Sequence, residues 1–145
     1  MIYIGIDTGK NTGFAVWDDK RAMLIAVETY VIHKAMEEVL RYYANGSIFV
    51  RFEDARKRNW FGKAGREQLQ GAGSIKRDCT IWEDFLTDKN ISYEAVAPSR
   101  NITKLSAKQF KKITGWQNKT NEHSRDAAML VFGYKQIIPN KALNK

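Results

Sequence analysis

Cysteine and proline are scarce in this chain of 145 residues, which contains one cysteine, Cys79, and two prolines. A single cysteine can form neither a disulfide nor a cysteine-based zinc site within one chain, which favours a reducing compartment. The sequence also lacks a basic, cleavable leader and any apolar run of membrane-spanning length. We therefore expect a soluble, cytoplasmic protein with no membrane partner.

Acidic residues are few relative to basic ones. There are 24 lysines and arginines against 16 aspartates and glutamates, which gives a net charge of +8 and a pI of about 9.6. The segment 95–121 contains no acidic residue at all. Clustered positive charge favours a polyanionic partner, nucleic acid first, and the alternative interpretation is a solvated basic face.

Two segments supply the expected nucleic-acid contacts. The first, between residues 51 and 66, interleaves basic side chains with two aromatic ones in a polar loop, where aromatic rings can stack on bases. The second is the acid-free segment. The expected DNA-binding residues are Arg56, Lys57, Arg58, Trp60, Phe61, Lys63, Arg66, Arg100, Lys111 and Lys112.

The rest of the composition, 43% hydrophobic and 28% charged, is typical of one globular domain, which we place at residues 1–138 before a flexible basic tail at 139–145. Apolar patterning predicts strands at 2–7, 14–17, 22–30, 48–53 and 91–97. Helical spacing and capping residues predict helices at 34–43, 66–88, 106–115 and 121–136. This order predicts an α/β fold, a mixed five-stranded sheet that begins as an antiparallel meander, continues with parallel strands and carries helices on both faces.

Two predicted strands end in a carboxylate. Asp7 ends the first strand, beside a glycine-rich turn at residues 9–13, and Glu53 ends the fourth. Asp7 alone could serve only to cap the turn, as aspartate often does. If the two strands are adjacent and parallel, however, both carboxylates lie side by side at the sheet edge where functional sites usually occur.

The last predicted helix adds two more candidate ligands. His123 and Asp126 are three residues apart and therefore share one helix face. Two alanines follow Asp126, and small residues let a helix lie close to a sheet. With Asp7 and Glu53 they would form an oxygen-rich site with one imidazole, which suits Mg²⁺ or Mn²⁺. Clustered carboxylates repel one another unless a cation lies among them, so a metal is expected.

Four motifs in this order resemble the RuvC-type Holliday junction resolvases of the ribonuclease H-like and retroviral-integrase superfamily. The opening GIDTGKNTGFAV is similar to their GIDPGxxxxGxAV, with Thr8 in place of proline, and VRFED is similar to the strand that ends in their catalytic glutamate. PSRNITKLSAKQFKKITG resembles their basic segment, and HSRDAAMLVFGY resembles their final DxxDAxxxA helix. The resemblance covers nearly the whole chain and implies a ribonuclease H-like sheet, with the reworked loop ARKRNWFGK suggesting a phage or mobile-element version.

The resemblance also implies a chemistry and a set of roles. It implies resolution of four-way junctions by hydrolysis with two Mg²⁺ ions, for which Mn²⁺ substitutes, leaving 5′-phosphate ends. Asp7 would bridge both ions, Glu53 would hold one, and His123 with Asp126 would hold the other. The two active-site basic residues match Lys108 and Lys104, and the junction-wedging aromatic matches Trp60 or Phe61. Because a four-way junction presents two symmetric strands, the resemblance implies a homodimer.

Three other functions compete with junction resolution. A related nuclease acting on flaps or RNA–DNA hybrids would use the same residues. The stretch IDTGKNTG also resembles a phosphate loop of actin-like ATPases, but those proteins need two such domains, which 145 residues cannot supply. A non-catalytic DNA-binding module would be favoured if one of the four candidate ligands lay far from the others.

Overall fold

The computed structural model describes residues 1–57 and 66–136, with the backbone alone described for 66–72. Its strands are β1 (Ile2–Asp7), β2 (Asn11–Asp18), β3 (Met23–Val31), β4 (Ile48–Glu53) and β5 (Tyr93–Val96). Its α-helices are α1 (Ile32–Ala44), α2 (Arg66–Asp88), α3 (Ala107–Thr114) and α4 (Glu122–Met129). None of the helices in this described part of the chain has the length and apolar character needed to span a bilayer.

The five strands form one mixed sheet in the order β3-β2-β1-β4-β5. β1 pairs antiparallel with β2, and β2 pairs antiparallel with β3, which is the predicted meander. β4 lies parallel to β1 on one side and to β5 on the other. The predicted fold class is therefore confirmed, including the adjacency of the two strands that end in a carboxylate.

Alternation along the strands divides the core into two layers. Ile4 and Ile6 of β1 contact the layer beneath α1 and α2, which includes Trp82 at 0% exposure. Tyr3 faces the opposite layer, beneath α3 and α4, which includes Phe110 and Val131. Because side chains alternate with period two, Asp7 and Glu53 lie on the same sheet face as α4.

Several predicted bounds agree with the structure. β4 and α2 have their predicted limits, and Ser106 caps α3 with a reciprocal capping box involving Gln109, while Gly115 ends that helix in the left-handed conformation at φ 74°. The hairpin turn is tighter than predicted, because Asp7 pairs with Gly13 and only residues 8–10 connect the two strands.

The last helix is shorter than predicted. α4 ends at Met129, not at residue 136, and Gly133 has a positive φ of 69° in the turn that follows. Tertiary contacts take over from helical ones here: Arg51 donates to the Leu130 carbonyl and lies 4.1 Å above the Tyr134 ring. These contacts help hold the segment 130–136 against the sheet, where the last backbone bond of α-helical spacing runs from the Phe132 N–H to the Ala128 carbonyl at 2.8 Å. The predicted tail at 139–145 lies outside the described residues.

A buried ion pair follows β4. The Asp54 carboxylate, 3% exposed, accepts from Nε of Arg56 at 2.8 Å, and the same guanidinium donates to Glu83 of α2 at 3.0 Å. Burial acts to raise the pKa of Asp54, but the hydrogen bonds and charge of Arg56 outweigh it and hold that pKa below its ordinary value. Arg56 was expected to contact DNA, and the structure instead commits its guanidinium to joining β4 to α2.

Substituting Arg56→Met should destabilise the fold by about 2–4 kcal/mol at pH 7, because it leaves the Asp54 charge buried without a partner. The native pair stabilises the fold above the unfolded carboxyl pKa of about 4 and ceases to do so as pH falls through the lower folded value, so the loss should shrink in acid. Urea unfolding of the variant and the wild type, at pH 7 and at an acidic pH below the folded pKa of Asp54, measures this loss of stability. The control Arg41→Met breaks an exposed pair with Glu38 and should cost under about 0.5 kcal/mol at either pH.

Candidate active site

The site begins with two carboxylates on neighbouring parallel strands. Ile6 of β1 is paired with Phe52 of β4, so the next residue of each strand, Asp7 and Glu53, comes at the same level of the sheet. Both belong to the sheet face that α4 covers. The side-by-side placement expected from the sequence is thus produced by the strand register.

The amino end of α4 is anchored beside these strands. Asn121 caps the helix by accepting from the Ser124 backbone N–H at 2.9 Å, and the Ser124 hydroxyl oxygen accepts from the Asn121 backbone N–H at 3.0 Å. Thr29 of β3 donates to the same Asn121 side chain at 2.8 Å. The cap is therefore tied to the sheet, which fixes where the first turn of α4, with His123 and Asp126, begins.

Two glycines let α4 approach the sheet at backbone distance. A Cβ at Gly13 would lie deep inside van der Waals contact with the His123 carbonyl oxygen and 2.9 Å from Cβ of Asp7. A Cβ at Gly5 would clash in the same way with the Ala127 carbonyl oxygen. Only glycine fits at these two positions while α4 keeps its place.

The four predicted ligands line one cleft of about 310 Å³. Nδ1 of His123 forms a hydrogen bond of 3.0 Å with Oδ2 of Asp7, which joins the sheet carboxylate to the helix. Asp126 lies on the same helix face and accepts from the backbone N–H of Lys104 at 2.9 Å. The residues lining the cleft are Asp7, Thr8, Glu53, Ala55, Ile75, Thr103, Lys104, Glu122, His123 and Asp126.

Burial raises the pKa of Asp7 to about 6, with further upward contributions from the charges of Asp126 and Glu53, while the His123 hydrogen bond opposes the rise. Burial also raises the pKa of Asp126. Partly buried carboxylates that share a cleft are unfavourable as bare anions, and a bound cation would offset their burial and repulsion. The donor set of three carboxylates and one imidazole fits Mg²⁺ or Mn²⁺ chemically.

The side chains are not gathered into a finished metal centre. Within residues 1–57 and 66–136, no group of three or more histidine, cysteine, aspartate or glutamate side chains is close enough together to hold a metal ion. The predicted four-ligand centre is thus present as a shared cleft, with one direct contact between Asp7 and His123. Closer convergence would require these side chains to turn toward one another.

The two predicted active-site lysines lie in different places. Lys104 lines the cleft and has a left-handed backbone with φ of 60°, unusual for a residue other than glycine. Lys108 is exposed on α3 and lines a separate hollow of about 520 Å³ together with Lys111. The sequence match at Lys108 therefore does not bring that side chain to the carboxylates, because α3 turns it toward the neighbouring surface.

The remaining predicted DNA contacts divide into three groups. Arg100, Lys111 and Lys112 are exposed, and Arg100 makes only a loose pair of 3.8 Å with Glu94. Lys57 is also exposed, but its Nζ donates to the Ala95 carbonyl at 2.7 Å. The remaining predicted contacts lie outside the described side chains: Arg58, Trp60, Phe61, Lys63 and Arg66.

Sequence reasoning missed two residues of this region. Ile75 of α2 is an apolar residue that is 39% exposed and lines the cleft. Asn101 donates through Nδ2 to Oε2 of Glu53 and to the backbone carbonyl of Asp126. No local pattern marks an asparagine in a basic loop as a donor to a carboxylate 48 residues away and to a backbone carbonyl 25 residues away, so only the fold could show it.

The fold has a solved counterpart. Thermus thermophilus RuvC, solved in complex with a Holliday junction substrate, matches with a TM-score of 0.57 and 19% sequence identity, over 92% of this chain and 91% of that one. No protein-family model and no curated protein sequence matches the chain. At this identity the likeness establishes a shared RuvC-like fold.

Proposed function

We propose that this chain is a divalent-metal-dependent endonuclease that cuts branched DNA, with the four-way junction as its substrate. The observation that carries the proposal is the cleft in which Asp7, Glu53, His123 and Asp126 meet. A RuvC-like fold and a net charge of +8 support the choice of DNA over other substrates.

Each cleft residue has a role set by its position. Asp7, Glu53, His123 and Asp126 would hold two Mg²⁺ ions, for which Mn²⁺ can substitute, and the bound ions would supply an activated water and offset charge on the leaving oxygen. His123 keeps Asp7 oriented through their hydrogen bond. Lys104, the lysine among the described cleft residues, would offset negative charge on the phosphate being cut.

The surface beside the cleft would bind the DNA backbone. Arg100, Lys111 and Lys112 are exposed and lie within the acid-free segment 95–121, which suits phosphate contacts. A junction presents two equivalent strands, so symmetric cutting by one site per chain requires two copies. We therefore propose a homodimer as the active species.

A substrate panel tests the proposal. Labelled four-way junction, linear duplex, flap and RNA–DNA hybrid are incubated with the protein in Mg²⁺, Mn²⁺ or EDTA. We expect paired symmetric nicks with 5′-phosphate ends in the junction, lost in EDTA. Cleavage of flaps or of the hybrid instead would support the proposed site but change the assigned substrate. Binding without cleavage in every metal would refute the nuclease assignment in favour of a DNA-binding module.

The substitution Lys104→Gly should lower cleavage activity while raising the stability of the fold. The change removes the charge that faces the phosphate, so cleavage should fall by about 10²-fold or more, as when one charge-stabilising group is lost elsewhere. The same change relieves the left-handed strain and should raise the free energy of unfolding by about 1 kcal/mol.

The control for this variant is Ala22→Gly, because Ala22 is exposed, has a positive φ of 52° and lies outside the cleft. It should show the gain in stability with unchanged cleavage. Junction cleavage rates and thermal unfolding of both variants give the answer. Wild-type cleavage by Lys104→Gly would remove the lysine from the proposed mechanism.

A further inference from the structure

Asn101 is held in a short turn immediately after β5. Its backbone N–H donates to the Pro98 carbonyl at 3.2 Å, and that of Arg100 donates to the Ala97 carbonyl at 2.9 Å. These bonds close the 3₁₀ turn Pro98–Arg100 and fix the point from which the Asn101 side chain starts. The residue is half-buried.

The Asn101 amide connects two different elements of the cleft. Nδ2 donates to Oε2 of Glu53, at the end of β4, at 3.1 Å, and to the backbone carbonyl of Asp126, in α4, at 3.2 Å. Both acceptors use the same NH₂ group, so the orientation of the amide is determined. Reversing it would bring the Asn101 oxygen against two other oxygens.

A second donor reaches the cleft from the same segment. The Lys104 backbone N–H, three residues after Asn101, donates to Oδ1 of Asp126, and Lys104 has a left-handed backbone conformation. The four-residue segment 101–104 thus contacts both Glu53 and Asp126. Unusual backbone conformations of this kind persist where the surrounding structure uses them.

The oxygen atom of the Asn101 amide makes an unfavourable contribution to stability. Oδ1 is buried and has no hydrogen-bond partner among the described residues. An unsatisfied buried oxygen destabilises the folded state, so asparagine is a poor choice at this position for stability alone. The cost is explained if the two bonds from Nδ2 serve the cleft.

We propose that Asn101 is a positioning residue that holds Glu53 and α4 in the mutual arrangement from which Glu53 and Asp126 bind a divalent cation. This inference rests on the proposed function, since it assigns Asn101 to the same site. Asn101 acts through the two acids and is not itself assigned a contact with substrate or metal. Hydrogen bonds of this kind to metal-binding carboxylates typically affect metal affinity by about 10–100-fold.

The test measures metal binding without DNA and cleavage separately. Mn²⁺ affinity is measured by titration for the wild type, Asn101→Ala and Asn101→Leu, the last having the same number and branching of side-chain heavy atoms as asparagine without its donors. We expect both variants to bind Mn²⁺ about 10–100-fold more weakly. In cleavage assays they should require correspondingly more Mg²⁺, with the KM for the junction unchanged.

The matched control is Asn45→Ala, which removes an asparagine that donates to the Arg41 carbonyl at 2.7 Å far from the cleft. It should leave Mn²⁺ affinity unchanged. Without metal, the Asn101 variants should unfold within a few degrees of this control, and failure of both to fold would replace the proposal with a purely structural role.

The outcomes separate the two proposals. Unchanged Mn²⁺ affinity in folded Asn101 variants would overturn the positioning role even if the wild type cuts junctions. Asn101-dependent Mn²⁺ binding by a wild type that cuts no DNA would overturn the nuclease and keep the positioning role. A wild type that neither binds Mn²⁺ nor cuts DNA would overturn both.

Discussion

Asp7→Asn is expected to reduce junction cleavage by at least about 10²–10³-fold while leaving junction affinity close to that of the wild type. Asp7 lies at the centre of the cleft, in contact with His123 and influenced by the charges of Glu53 and Asp126. Asparagine has nearly the same shape but no charge with which to hold a cation. Cleavage rates and binding by gel shift with Ca²⁺ measure the two effects.

Although Asp7→Asn should lose cleavage activity, we expect it to be more stable than the wild type at neutral pH when no metal is present. Because the folded pKa of Asp7 is raised to about 6, its contribution to the free energy of unfolding falls as pH rises from about 4 to about 6. A rise of roughly two pKa units corresponds to about 3 kcal/mol, so Asp7→Asn should be the more stable protein at pH 7 by up to about that amount. The difference should vanish near pH 4.

Asp88→Asn serves as the control, since it makes the same change of charge at an exposed position near the end of α2. It should alter neither cleavage nor the pH dependence of stability. Full cleavage by Asp7→Asn would refute the assignment of Asp7 and with it the proposed site. Equal stability of Asp7→Asn and wild type at pH 7 would refute the raised pKa of Asp7, to which burial contributes most.

Gly13→Ala should have the second largest effect. The added methyl group would overlap the His123 carbonyl oxygen and lie 2.9 Å from Cβ of Asp7, and both are held by backbone in the sheet and helix. Relief requires α4 to move away from β2, which we expect to cost about 1–3 kcal/mol of stability. Because His123 moves with the helix, cleavage should fall more than stability alone explains.

Two further glycine-to-alanine substitutions serve as comparisons for Gly13→Ala. Gly5→Ala clashes with Ala127, further along α4, and should cost similar stability with a smaller effect on the Asp7–His123 contact. Gly73→Ala, in α2 with nothing within 4 Å of the new methyl group, should stabilise the protein by about 0.5–1 kcal/mol. Thermal unfolding and junction cleavage assays distinguish the three glycine variants. Wild-type stability and cleavage in Gly13→Ala would contradict the close approach of α4 to the sheet.

The sequence was most informative where local rules decide the structure. Alternation of apolar residues located β4 to the residue, and the Ser106 cap with Gly115 bounded α3, because each signal depends on neighbours in the chain. The strand ends marked Asp7 and Glu53 as a pair once the parallel arrangement was assumed. Four ligand candidates from three elements were thereby placed in one cleft.

The sequence was least informative where residues far apart in the chain determine the structure. α4 was predicted to continue to residue 136, but contacts of Arg51 with the segment after Met129 replace the helix there. The ion pair of Arg56 with Glu83 was not predicted, because nothing nearby in the sequence shows Glu83 approaching from α2. Asn101 was overlooked for the same reason, since its value lies in acceptors contributed by β4 and α4.

The close packing of α4 against β1 and β2 has a consequence for the order of synthesis. Asp7 and Glu53 are made early and belong to strands that can pair before the ribosome reaches α4, whereas His123 and Asp126 arrive with the last described helix. Domains emerging from the ribosome begin to fold from the amino-terminal side. A nascent chain that has paired its sheet therefore lacks half of its cleft, and the proposed hydrolysis would begin only when the carboxy-terminal helix docks onto glycines made more than a hundred residues earlier.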